Sequence, residues 1–177
     1  MLIAHLPAGY LIAKLTQRTG RFLTKGEFIA TLIGAVIPDI DMIWFWTVDH
    51  RQHHHNGYIT HWPSFWLMVF LVGLAITLLL SKRAWISVMC LFFFGTMSHM
   101  VLDSVAAPIM WLAPLSDNWF ELSHVPASAH GATYALLTHW TFGVELAICL
   151  TAAVVFYRKR RLPSSYSRSN QSLEEIE

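Results

Sequence analysis

The stretch Gly95-Thr-Met-Ser-His99-Met-Val-Leu-Asp103 places a histidine and an aspartate four residues apart in a run that is otherwise uncharged and apolar. Four residues is just over one helical turn, so both side chains lie on one face. A helix that is apolar nearly all round is typical of a membrane span, where an ionisable side chain is costly and indicates function by default. The stretch therefore predicts a membrane helix that carries a polar site.

The composition of the whole chain agrees with a membrane protein. Of its 177 residues, 55% are hydrophobic and only 13% are charged, and the mean hydropathy is +0.46. This is not the composition of a soluble domain with a polar coat. The formal net charge of +1 gives no basis for nucleic-acid binding. The apolar composition makes the lipid bilayer the expected partner.

The apolar segments predict an all-α, polytopic membrane protein with about four to five helices around an intramembrane polar site. Thr24-x-x-Glu27 resembles a capping box that starts the second helix, and Pro38 is expected to break or kink that helix. Residues 1–161 are expected to form one domain, and residues 162–177 a disordered cytoplasmic tail. The predicted helices cover residues 1–17, 25–48 (with the break at Pro38), 62–80, 84–102 and about 132–157.

Basic residues indicate the orientation. Three groups fall on one side of the membrane if the four main segments alternate, and the positive-inside rule makes that side the cytoplasm. The C-terminus is then cytoplasmic, and the loops at 49–61 and 108–131 face outward from a bacterial inner membrane. The three groups are Arg18, Arg21 and Lys25; Lys82 and Arg83; and Arg158 to Arg161.

Polar groups from several helices are expected at similar depth. At ~1.5 Å per helical residue from the cytoplasmic ends, His5, Asp39, His99 and His139 each lie roughly 18–27 Å up. His99 and Asp103 can chelate one cation from one helix face, and zinc favours this mixture of ligands. The alternative is a buried His–Asp hydrogen bond.

Two aspartates follow the helix break at Pro38. Backbone breaks at membrane depth are tolerated where they line a cavity or are covered by protein. One of Asp39 and Asp41 is expected to bind the metal, while the other orients a ligand or takes a proton from water. The alternative is a helix-terminating turn at the interface.

The remaining candidate ligands are histidines, since neutral imidazole is the commonest metal ligand. His61 has the best-fixed position in its loop because a span follows directly, and His54 and His55 come next. His50 and His53 are expected to be solvated, and His5 could be either packing or a ligand. A possible second cluster contains His124, His130, His139 and Glu145.

Several motifs are missing from the sequence. It has no Gly-rich phosphate loop, no GxSxG elbow and no HExxH motif. Serine nucleophile and zincin mechanisms therefore have no support.

The chain resembles the LexA-regulated inner-membrane family of predicted metal-dependent hydrolases. The matching blocks, in the family's order, are His5 in its helix, Ile37-Pro-Asp-Ile-Asp41, the loop that ends Thr60-His61, and Gly95 to Asp103 followed by Ala107-Pro-Ile-Met-Trp-Leu-Ala-Pro-Leu115. The family in turn resembles zinc-dependent phospholipases C and single-strand nucleases, whose ligand order is His, Asp, His, HisxxxAsp, His, HisxxxGlu. This resemblance implies the metal ligands His5, Asp39 or Asp41, His61, His99 and Asp103, with His124 and His139 continuing the series and either His54 or His55 in the loop.

Two functional hypotheses follow. In the first, the protein is a hydrolase that depends on Zn²⁺ or another divalent metal and acts on a phosphoester or lipid-like substrate at the outer face, with Asp39 and Asp41 as candidate catalytic residues. In the second, it is a non-enzymatic metal-binding or metal-transporting protein. A transporter needs polar groups that continue into the cytoplasmic half of the spans, where this sequence has almost none.

Overall fold

The computed structural model describes residues 1, 3–18, 20, 22–126, 128–129 and 131–161, so the predicted tail at 162–177 lies outside the described residues. This part of the chain is helical, with one isolated antiparallel pair, Ile109 and Phe120, and no longer strand. The predicted all-α membrane fold is confirmed. The α-helices are α1 (His5–Arg18), α2 (Lys25–Val36), α3 (Asp41–Thr47), α4 (Pro63–Leu79), α5 (Ala84–Ala106), α6 (Ala132–Thr138) and α7 (Trp140–Arg161).

Three helical segments are long and apolar enough to cross a membrane. They are Lys25–Thr47, Ala84–Ala106 and Trp140–Arg158, and Pro63–Leu79 is a shorter apolar helix. Their outward side chains are largely apolar. Such surfaces suit lipid, because a bilayer offers apolar side chains the burial that water does not.

The first span is shaped by its cap and its proline. Thr24 and Glu27 form the predicted capping box, in which the Glu27 amide donates to Thr24 Oγ1 at 3.2 Å. Pro38 has no amide hydrogen to continue the α-helix. The backbone therefore tightens into a 3₁₀ turn over Ile37–Ile40 before α3 begins. This local change places Asp39 and Asp41 at the junction of α2 and α3.

Helix α5 packs against α1, α2 and α4. The crossing with α2 is very close, because a Cβ atom on Gly95 would lie 2.5 Å from the Thr31 carbonyl oxygen and 2.9 Å from the Ala35 nitrogen. Only glycine allows two backbones to approach in this way. The crossing sets His99, one turn further along α5, directly against α2.

The last predicted span differs from the expectation of one helix over about 132–157. It is divided at His139, whose backbone is extended (φ −82°, ψ 149°) and ends α6. The His139 ring forms a hydrogen bond of 3.0 Å with the Thr141 hydroxyl in the first turn of α7. This hydrogen bond lies at the start of the new helix, and hydrophobic periodicity does not reveal such a local contact.

Candidate metal centre

Four side chains from three parts of the chain converge at one end of the helix bundle. One ligand atom from each lies within 4.8 Å of the others. Asp39 comes from the 3₁₀ turn after α2, His61 ends the loop before α4, and α5 supplies the other two. Among the residues that the structure describes, this is the group that can hold one metal ion: Asp39, His61, His99 and Asp103.

His99 is fully buried and held by the backbone of α2. Its Nδ1 donates to the Ala35 carbonyl oxygen at 2.9 Å. A proton on Nδ1 leaves Nε2 as the lone-pair nitrogen. Nε2 lies 3.3 Å from Asp103 Oδ2 and 3.5 Å from Asp39 Oδ1. The close α2–α5 crossing therefore fixes both the tautomer and the direction of this ring.

His61 is also fully buried and is oriented by a carboxylate. Its Nδ1 donates to Asp41 Oδ2 at 2.7 Å, and the Thr60 hydroxyl donates to the same oxygen at 2.5 Å. The Nε2 atom then faces Asp39 and Asp103, at 3.6 and 3.7 Å. A carboxylate behind a metal-binding imidazole is the usual way to set its tautomer and increase its basicity.

The protonation of His61 reflects these neighbours. Burial opposes protonation of the ring, but the carboxylates of Asp39 and Asp41 outweigh that effect and raise the pKa of His61 above its ordinary value. The carboxylates around His61 therefore favour a positive charge beside this ring. A proton or a metal cation can meet that requirement.

The donor set fits a zinc-type cation. Ligands at ~2.0–2.2 Å from a tetrahedral ion lie roughly 3.3–3.6 Å from one another. The four nitrogen–oxygen separations in the cluster are 3.3–3.7 Å, and all its ligand atoms lie within 4.8 Å of one another. The Nε2 atoms of His61 and His99 are buried and have no hydrogen-bond partner. A buried nitrogen without a partner is costly, and coordination removes that cost.

His5 lies beside this centre. Its ring stacks on His99 with centroids 3.7 Å apart, and its Nε2 is 3.2 Å from Asp103 Oδ1. The amino group of Met1 contacts the same carboxylate oxygen. Asp103 Oδ2 thus faces the imidazoles of His61 and His99. Its Oδ1 contacts the Met1 amino group and His5 at the start of the chain.

His55 connects the centre to a cavity. Its Nε2 is 3.8 Å from Asp39 Oδ1, and its ring lies edge-on to His61 at 4.8 Å. It also lines a cavity of about 600 Å³. Asp39 is the most exposed of the four cluster residues, with 36% of its side chain accessible. The metal centre is therefore most open at Asp39, on the side where His55 lies. Polar and apolar side chains share the cavity wall, among them Arg51, His54, Glu121, Phe45, Ala107 and Leu136.

The loop that delivers His55 and His61 is ordered by an aspartate. Asp49 accepts hydrogen bonds from the His53 side chain and backbone, at 2.6 and 2.9 Å. These bonds lower the pKa of Asp49 to about 2. They also accompany left-handed backbone at His50 and Arg51, with φ of 52° and 64°. Asp49 therefore shapes the loop at its outer rim and is not a cluster residue.

The structure brings together seven of the nine residues predicted as ligands and places two elsewhere. His5, Asp39, Asp41, His55, His61, His99 and Asp103 surround the centre. His124 is exposed and bonded to Glu121 at 2.8 Å, and His139 bonds to Thr141. His130 lies outside the described residues. A ligand role for His124 and His139 stays a prediction, as does a catalytic role for Asp39 and Asp41.

Sequence reasoning missed three groups that support the centre, namely the Ala35 carbonyl, the Thr60 hydroxyl and the Met1 amino group. Thr60 directly precedes His61, but a hydroxyl beside a ligand is too common a feature to identify from sequence. Glu145, a carboxylate within an apolar helix, is buried and accepts the Ile3 amide at 2.7 Å. It therefore joins α7 to the start of the chain.

Comparison with known proteins identifies the family. The model of the YdjM inner membrane protein family matches residues 1–162. No curated protein and no solved structure matches the chain. The match covers most of the chain, so the protein belongs to this family, which is the LexA-regulated inner-membrane family indicated by the sequence.

Proposed function

We propose that this member of the YdjM inner membrane protein family is a metal-dependent hydrolase that acts on a phosphoester or lipid-like substrate at the outer face of the inner membrane. The metal is zinc or a similar divalent cation. The charge distribution along the sequence supports an orientation with the C-terminus in the cytoplasm and the histidine-rich loops outside.

One observation carries the metal site. Two fully buried imidazoles are each held through Nδ1 and direct a partnerless Nε2 towards the carboxylates of Asp39 and Asp103. A structural His–Asp hydrogen bond, the alternative reading of the sequence, needs only one such pair and a shorter contact. Here the contacts of 3.3–3.7 Å are too long for strong hydrogen bonds and suit ligands that share a cation.

The chemistry follows from the ligand set. A bound zinc ion acts as a Lewis acid and lowers the pKa of coordinated water to ~7. The chain's own residues prepare that chemistry: Asp41 and the Ala35 carbonyl fix the two imidazole tautomers, and Asp39 lies at the open side. His55 lies between Asp39 and the cavity and can contact a substrate that enters the cavity.

The cavity supports an amphiphilic substrate. Arg51 and the loop histidines give it groups that bind an anionic phosphoester, while Phe45, Ala107 and Leu136 give it an apolar wall. Since α5 ends at Ala106, which also lines the cavity, the cavity lies near the boundary of the membrane. A lipid-like molecule can present its head group to the centre and keep its chains in the apolar region.

The test is a hydrolysis assay on the full chain in lipid nanodiscs. Metal is removed with a chelator and Zn²⁺ is added back, with a soluble phosphodiester and a panel of phospholipids as substrates. We expect turnover that depends on added metal and falls by at least about 100-fold in Asp39→Asn, which removes one ligand charge at the open side.

The matched control is Asp117→Asn, which alters an exposed aspartate that belongs neither to the cluster nor to the cavity lining. It should retain most activity. If the wild-type protein binds metal stoichiometrically but hydrolyses none of the esters, the hydrolase proposal fails and the non-enzymatic metal-binding hypothesis replaces it. Equal activity in Asp39→Asn and the wild type would show that the chemistry lies elsewhere.

A further inference from the structure

The segment that follows α5, residues 107–122, is an ordered hairpin (the 107–122 hairpin). Ile109 and Phe120 exchange two backbone hydrogen bonds, each 2.9 Å long. The Leu122 amide donates to the Ser104 carbonyl oxygen at 2.6 Å, so the end of the hairpin returns to the last turns of α5. The backbone is therefore fixed at its base.

A second set of contacts fixes the hairpin across the bundle. The Ser64 hydroxyl, in the first turn of α4, donates to the Ala113 carbonyl oxygen. The Trp111 indole donates to the Ser104 hydroxyl at 2.8 Å. The side chains of Ile109 and Ala113 are buried. The hairpin thus has an inner face that packs on the ends of α4 and α5.

The outer face of the hairpin is apolar. A loop that faces water normally presents polar side chains, and large contiguous apolar patches mark an interaction surface. Leu115 is 93% exposed, and the charged residues of the hairpin are Asp117 and Glu121. Leu112 and Leu115, near the turn, carry this face. The returning arm of the hairpin adds the partly exposed Trp119, Phe120 and Leu122, and the Trp119 ring also contacts His54.

The depth of the hairpin indicates what covers this face. Helices α4 and α5 are joined by a short turn, and Ser64 and Ser104 lie roughly 23 and 30 Å along them from that turn. The hydrocarbon core is ~30 Å thick. The hairpin therefore lies at the edge of the core, at the end of the bundle that carries the metal centre, where aromatic and aliphatic side chains anchor proteins to the interface.

We propose that the 107–122 hairpin inserts its outer face into the lipid head-group and acyl boundary, with Leu112 and Leu115 among the acyl chains. Asp117 and Asn118 reach the head groups. Pro108 and Glu121 belong to the hairpin and line the 600 Å³ cavity. The cavity consequently opens beside lipid. Insertion of the hairpin does not require hydrolase activity.

The test places a fluorescent label on the hairpin of the full chain in liposomes. The free cysteines Cys90 and Cys149 are replaced by alanine, and Leu115→Cys and Leu112→Cys variants are labelled separately with an environment-sensitive fluorophore. Both positions are exposed, so the substitutions leave the packed inner face unchanged. We expect blue-shifted emission that is strongly quenched by lipids brominated near the head group.

His50→Cys is the matched control, because His50 is exposed in the polar loop at the same end and is not part of the cavity lining. Its label should emit as in water and be quenched several-fold less. Water-like emission from both leucine positions would overturn the proposal. Blue-shifted emission without quenching by brominated lipid would also overturn it, since the face would then be covered by protein, including a second copy of the chain.

Discussion

Asp41 accepts the Nδ1 hydrogen of His61 at 2.7 Å, so the ring turns its other nitrogen towards Asp39 and Asp103. This relationship separates the two aspartates that follow Pro38. Asp39 lies within the ligand group, and Asp41 lies behind a ligand, where it positions the imidazole.

Replacing Asp41 by asparagine should weaken metal binding without removing a ligand. Groups that orient metal-binding histidines contribute about 10–100-fold to affinity. We therefore expect the dissociation constant of Zn²⁺ for Asp41→Asn, measured by competition with a chelating dye, to rise by about that factor. Asp117→Asn, which alters an exposed carboxylate outside the cluster, should bind as the wild type does. Equal affinities in all three proteins would contradict the positioning role.

Gly95→Ala should disturb both stability and the centre. The new methyl group would meet backbone atoms of Thr31 and Ala35, which cannot move as a flexible side chain does. Overpacking of this kind costs about 1–3 kcal/mol, and displacement of Ala35 should loosen its hydrogen bond to His99. The readouts are thermal unfolding in detergent and Zn²⁺ affinity.

The control for this substitution is Gly143→Ala in α7, where an added Cβ meets no atom within 4 Å. It should leave both quantities unchanged or raise stability slightly, because alanine favours a helix more than glycine does. A Gly95→Ala protein as stable as the wild type would show that the α2–α5 crossing adapts.

Metal binding should weaken as the pH falls. Coordination needs neutral imidazole, so protons compete with the cation. Because the carboxylates of Asp39 and Asp41 raise the pKa of His61 against the effect of burial, this competition should begin at a higher pH than an ordinary histidine gives. Affinity should be full above the raised pKa and fall as the pH drops through it. The measurement is Zn²⁺ affinity between about pH 5 and 8.

The metal-free protein should show the opposite dependence. Protonated His61 pairs with its two carboxylates, so its contribution to stability is fully present below the pKa of the unfolded state and is lost as the pH rises through the raised pKa. The pH at which metal affinity falls should be lower in Asp41→Asn than in the wild type, because the substitution removes one of the carboxylates that raise the pKa of His61. A metal affinity that does not change with pH would contradict the assignment of histidine ligands.

His124→Ala and His139→Ala should keep the metal content of the wild type. The first side chain is exposed and bonded to Glu121, and the second is bonded to Thr141. Neither lies within the group formed by Asp39 and its partners. Metal analysis of the two purified variants checks this expectation. Loss of one equivalent in either would reveal a second ligand set that includes that histidine.

Much of the fold could be predicted because membrane spans leave a strong signal. The apolar runs, the capping box at Thr24 and the break at Pro38 each depend on local chemistry, and the structure has all three. The division at His139 could not be predicted in the same way. It coincides with a hydrogen bond between the side chains of His139 and Thr141, and such a contact has no periodic pattern.

The candidate site was partly predictable. His99 and Asp103 share a helix face, and a count of helical rise places Asp39 at a depth similar to that of His99. The position of His61 directly before a span indicates it separately. The count could not distinguish Asp39 from Asp41. That difference depends on the 3₁₀ turn and on a contact with His61 across 20 residues of sequence.

The most direct test of the central claim is the metal content of the detergent-purified full chain, measured by mass spectrometry for the wild type and for His99→Ala and Asp103→Ala. His53→Ala is the control, since its side chain is 74% exposed. We predict about one equivalent of zinc or a similar divalent metal in the wild type and the control, and loss of most of it in both cluster variants, with helical content retained. Unchanged metal content in both cluster variants would contradict the assignment of the centre.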